Sequence, residues 1–104
     1  MQTFKTALID LFNTSDDFVI EIENQIIALH ESLRSQNTGA IQMLQNELDN
    51  EIRPLANELI SELVLRSENA SWMDRRTARS LIRDIIHQLK ALEWAIENQK
   101  ILAA

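Results

Sequence analysis

An all-α protein is what this sequence predicts, folded as one antiparallel up-and-down helical bundle over residues 1–104, and three observations predict it. A single glycine and a single proline interrupt a chain rich in Leu, Ala, Glu and Gln, which favour helix. Apolar residues recur at steps of three and four through every long segment, the spacing of one helix face. Thirty-seven Val, Ile, Leu, Met, Phe and Trp residues suffice for a core, since a chain of this length buries roughly two thirds of its unfolded surface.

The pattern divides into a short first helix and three long ones. Phe4, Leu8 and Leu11 share a face over residues 3–12. Asn13, Thr14, Ser15, Asp16 and Asp17 then offer N-cap side chains and carboxylates suited to a helix start, so a break is expected there. Phe18, Ile22, Ile26, Leu29 and Leu33 carry a second helix to residue 36, and Asn37, Thr38 and Gly39 read as a stop and a turn.

In the third segment Ile41, Leu44, Leu48, Ile52, Leu55, Leu59 and Leu63 keep one phase. Pro54 stands in the middle of that run, where it removes a backbone hydrogen bond and crowds the carbonyl of Asn50. The continuous phase predicts one helix over 38–67, kinked at the proline. The alternative is two helices, with Asn50 near the break and Pro54 in the first turn of the second. Residues 67–71 form the next turn, and Ser71-Trp72-Met73-Asp74 resembles a capping box that starts a last helix over 72–99. A thirty-residue helix spans about 45 Å, long for a 12.0-kDa monomer, so a homodimer that covers part of its apolar length is expected.

The charge is uneven. Residues 1–62 carry eleven acidic and three basic side chains, a net of −8, whereas residues 63–104 carry five acidic and seven basic, a net of +2. The basic excess is ordered. Trp72, Arg76, Arg79, Arg83, His87, Lys90 and Trp94 fall within about 80° of one another around the last helix. The apolar residues Ala78, Leu81, Ile85, Leu89, Leu92 and Ile96 centre about 145° away, so the basic row faces away from the expected core. Arg75, Arg76 and Arg79 crowd the first two turns, where the helix dipole disfavours cations. Tryptophan and arginine are also enriched among interface hot spots. The plainer expectation is a solvated face whose arginines pair with carboxylates such as Glu47, Glu51, Glu58 and Glu62 on the third segment or on a second copy.

Several classes of chemistry find no support. The absence of cysteine removes disulfides, thiol catalysis and thiolate metal sites. Two histidines, each without a Glu three residues before it, make neither a zinc site nor a di-iron bundle, so no metal and no cofactor are expected. One glycine cannot build a phosphate-cradling loop. A net charge of −6 argues against nucleic acid as partner. Residues 1–5 carry no basic segment leading into an apolar run, and no stretch reaches 18 uncharged apolar residues, so a cytoplasmic protein with no membrane contact is expected.

The segment His87-Gln88-Leu89-Lys90 resembles the centre of a histidine phosphotransfer domain, a helical bundle of similar size whose exposed histidine carries a phosphoryl group. That resemblance implies a phosphoryl-carrying role for His87 with Lys90 beside it, although Ala91 stands where the family usually has glycine. His30-Glu31-Ser32-Leu33-Arg34-Ser35 is similar to the phosphoacceptor box of sensor kinases, with Ser32 as one residue more than that box contains. Arg83 and His87 resemble the arginine–histidine pair of helical bundle ribonucleases, with three intervening residues in place of four to six. The primary expectation is a non-catalytic protein-interaction module of inhibitor, immunity, antitoxin, assembly-chaperone or adaptor type. Its basic, tryptophan-flanked row would meet another protein's acidic surface.

Overall fold

A computed structural model describes the backbone of residues 4–34 and 38–103 and most of their side chains. Those residues form α1 (Phe4–Arg34), α2 (Thr38–Glu47), a π turn (Leu48–Ile52), α3 (Arg53–Ser67) and α4 (Trp72–Ala103), with no strand among them. Three long helical runs therefore build the fold: α1, the middle run from α2 through α3, and α4.

The expected break at residues 13–17 is absent, and α1 is one helix of 31 residues. Instead of capping a new helix, Thr14 donates its hydroxyl hydrogen to the Asp10 carbonyl at 2.8 Å, and Ser15 donates to the Leu11 carbonyl at 2.9 Å. Each hydroxyl thus finds its acceptor four residues back, within the helix it was expected to interrupt. Ser15 is fully buried and in phase with Leu8, Leu11, Phe18 and Ile22, so it occupies a core position rather than a turn. Of the residues expected in the turn at Asn37–Gly39, Thr38 and Gly39 belong to α2. Residues 35–37, and the side chains of Phe4, His30 and Leu33, lie outside those described.

The middle run stays helical through Pro54. The backbone N–H of Arg53 donates to the carbonyl of Leu48, five residues back, which closes a π turn just ahead of the proline. A π turn holds one residue more than an α turn, so it acts as an insertion and shifts the core face just beyond it. Leu55, expected in the core, is 43% exposed, and Ala56 is buried in its place. Further along, Leu59 and Leu63 return to the core.

Ala70 donates to the Ser67 carbonyl at 3.1 Å in the turn before α4. Ser71 caps α4 as expected, its hydroxyl accepting from the Asp74 N–H at 3.3 Å and its carbonyl from the Arg75 N–H at 2.9 Å. α4 runs to Ala103, a full turn beyond the expected end.

One continuous core joins the three runs, with Ile22, Leu48, Leu63, Ile85, Leu92 and Ile96 among its most buried side chains. Each such residue contributes roughly 1.5–3 kcal/mol by leaving water. α1 packs most extensively on α4, and α3 next. Polar ties stitch the runs at their rims: Gln88 donates to Glu23 at 3.1 Å, Lys100 to Gln45 at 2.7 Å, and Arg53 to Glu93 at 3.3 Å. The result is a rod of 50 × 24 × 18 Å. Its radius of gyration, 16.1 Å, exceeds the ~13 Å of a compact chain of this length.

Candidate interaction surface

α4 owes its basic face to register. Ala78, Leu81, Ile85, Leu92 and Ile96 are buried, and this fixes the helix rotation so that the opposite side meets solvent. All seven residues singled out from the sequence lie there: Arg76, Arg79, Arg83, His87 and Lys90 are exposed, as are Trp72 at 62% and Trp94 at 67%. Ile101, seven residues after Trp94 and equally exposed, extends the row beyond its expected end.

The row has relief. Near the start of α4, Trp72, Arg75, Arg76 and Arg79 line a crevice, and the Arg76 guanidinium carbon lies 5.5 Å from the centre of the Trp72 ring. That cation–π contact is worth about 0.5–1 kcal/mol in an exposed setting and holds both side chains in a defined pose. Further along, Ile82 and Ile86 form an apolar strip bordered by Arg79, Arg83, His87 and Lys90. Beyond it a depression crosses to the middle run, where Lys90, Trp94 and Lys100 face Gln45, Leu48 and Arg53 beside the π turn. Ile82 and Ile86 were missed in the sequence because they sit at the edge of the core arc, where helical spacing alone does not separate core from rim.

Arginines in this protein have two fates. Arg53 bonds Asp49 at 2.7 Å and Glu93 at 3.3 Å, and Arg66 bonds Glu62 at 3.1 Å. Among the described residues no ion pair reaches Arg75, Arg76, Arg79, Arg83, His87 or Lys90. The expected pairing of this row with the third segment is therefore not made within the chain: Glu62 is held by its own helix, and Glu47, Glu51 and Glu58 stand exposed. An unpaired row of cations with aromatic and isoleucine side chains among them can hold an acidic, partly apolar surface.

Catalytic geometry is sparse. His87 is exposed beside Arg83 and Lys90, and it has no hydrogen-bond partner among the described residues. Among those same residues no three His, Cys, Asp or Glu side chains converge as a metal site would require. No described helix is long and apolar enough to cross a membrane. No protein-family model, curated protein or solved structure matches the chain.

Proposed function

We propose that this protein is a non-catalytic interaction module whose basic, tryptophan-flanked α4 face binds an acidic protein surface. The observation that carries the reading is the contrast between paired and unpaired arginines. Arg53 and Arg66 are held by carboxylates of the fold, while among the described residues no carboxylate pairs with the α4 row. Trp72 and Trp94 would anchor the contact, with Arg76, Arg79, Arg83 and Lys90 steering approach and fixing register. An antiparallel, up-and-down course of the three runs belongs to the same reading. It is supported by the ties of the middle run, which descend α4 from Lys100 to Glu93 as they climb from Gln45 to Arg53. An inhibitor, immunity, antitoxin, assembly-chaperone or adaptor role in a cytoplasmic setting would be served by such a surface.

The test is capture from a lysate of the native host with wild type, Trp94→Ala/Arg83→Ala, and an acidic-face control, Glu47→Ala/Glu58→Ala. A protein retained by wild type and control but lost with the α4 variant supports the reading. Identical profiles for all three overturn it.

His87 supports a second reading, a phosphoryl carrier, because it stands exposed between the cations Arg83 and Lys90. Acid-labile phosphate acquired from acetyl phosphate and lost in His87→Ala would establish it. Its absence from the wild-type chain would remove it.

A further inference from the structure

α1 carries a second unpartnered row. Ile9, Ile20 and Ile27 are each about half exposed, and steps of eleven and seven place them within about 20° of one another around the helix. Asp16 and Glu31, exposed and unpaired among the described residues, lie within about 40° of that row. Over residues 7–29 every described charged side chain of α1 is acidic. The α4 row is the reverse: cations with Ile82 and Ile86 beside them. Ile20 and Ile27 repeat every seven residues, as do Arg76, Arg83 and Lys90, so the two rows share a rise of about 10.5 Å per repeat.

Resting on the reading of α4 as a protein-binding face, we infer that its acidic partner is α1 of a second copy, in a closed two-fold dimer. Charge decides the pairing. α1 against a second α1 would oppose carboxylates, and α4 against a second α4 would oppose guanidiniums. Of the pairings between these two rows, which alone among the described residues combine charge with exposed isoleucines, α1 on α4 brings unlike charges together. α1 and α4 are neighbours, tied by Glu23 and Gln88, so a two-fold axis makes the contact twice and leaves neither row open. Area agrees. The chain exposes 7062 Å², against roughly 6,000 Å² for a typical monomer of its mass. One side of the rod, 50 Å by at least 18 Å, compares with the roughly 800 Å² that each partner contributes to a standard interface.

The test swaps charges. One variant carries Arg79→Glu/Arg83→Glu/Lys90→Glu, which leaves Arg76 as the α4 row's one cation and makes both rows acidic, and the other carries Asp16→Lys/Glu31→Lys, which makes both basic. Light scattering on a sizing column should give wild type the mass of two 12.0-kDa chains at low salt, dissociating as salt rises. Each variant alone should be monomeric, its dimer weakened at least about 100-fold. An equimolar mixture of the two should restore a 1:1 dimer, which also shows that both are folded. A wild type that stays monomeric, variants that still dimerise alone, or a mixture that stays monomeric overturns the inference. Particles that grow beyond a dimer overturn the two-fold arrangement. Capture of a host protein that depends on Trp94 and Arg83, by a chain that remains monomeric, sinks the dimer and leaves the function above standing.

Discussion

Asn13–Asp17 in α1 and Asn50–Pro54 ahead of α3 both carry residues that end helices, and the chain stays helical through both. They manage it in opposite ways. In α1 the offending side chains are hydroxyls, which bond the carbonyls of Asp10 and Leu11 and leave the helix register untouched. In the middle run the difficulty is in the backbone, because a proline ring cannot donate and cannot avoid the carbonyl four residues back. There the chain accommodates it with a π turn and a shift of one residue in the face turned to the core. A polar side chain is absorbed without touching the core face; the backbone defect exchanges Leu55 for Ala56 on that face before Leu59 and Leu63 resume it.

That contrast has measurable consequences, the largest at Ser15. Ser15→Asp puts a carboxylate into a fully buried place and should lower stability by more than ~3 kcal/mol. Ser15→Ala removes only a neutral hydroxyl that competes with the helix and should stay within about 1 kcal/mol of wild type. Denaturant titration separates the two, and a tolerated aspartate would show that the segment is a solvated turn after all.

Deletion reads out the π turn. Removing Asn57, inside α3, rotates Leu59 and Leu63 by about 100° out of the core and should abolish cooperative folding. Removing Asn50 together with Pro54→Ala takes out the extra residue and its cause, so α3 keeps its register as an ordinary helix. That variant should remain within ~2 kcal/mol of wild type by thermal unfolding. Equal damage from both deletions would mean that the extra residue has a structural task of its own. Leu48 and Arg53, at the two ends of the π turn, line the depression that Trp94, Lys90 and Lys100 also border.

How legible these features were depends on what produces them. Leu81, Ile85, Leu92 and Ile96 announce the core face of α4, and the exposed row is set by them through geometry alone. Ser71 announces its cap because the hydroxyl has no other local use. Ser15 misleads because composition labels it a turn residue, while phase (Leu8, Leu11, Ser15, Phe18, Ile22) assigns it to the core stripe. Phase was the better guide there and the worse one at Pro54. Leu55 keeps α-helical spacing from Leu48 and Ile52, yet the π turn hands its place to Ala56. Period-based reading presumes 3.6 residues per turn and cannot see a turn that departs from it. The unpaired state of the α4 row was also hidden, since it depends on where the carboxylates of other runs come to rest.

The smallest expected effect bears on function most directly. Arg53→Gln removes a contact to Asp49 within the middle run and one to Glu93 that joins it to α4, and with both partners substantially exposed the loss should be up to about 1 kcal/mol. Arg83→Gln removes a side chain that bonds nothing in the described fold, so its unfolding midpoint should match wild type, within about 0.5 kcal/mol of stability. Residues kept for binding are free of structural duty, and that is the property this pair isolates. The comparison belongs at low protein concentration, where any dimer is dissociated, because an interface through Arg83 would otherwise add its own contribution. If Arg83→Gln destabilises the monomer as much as Arg53→Gln does, the α4 row supports the fold and its availability to a partner is lost as an argument. If only Arg53 matters, Arg83 has no role inside the monomer and stays available to a partner.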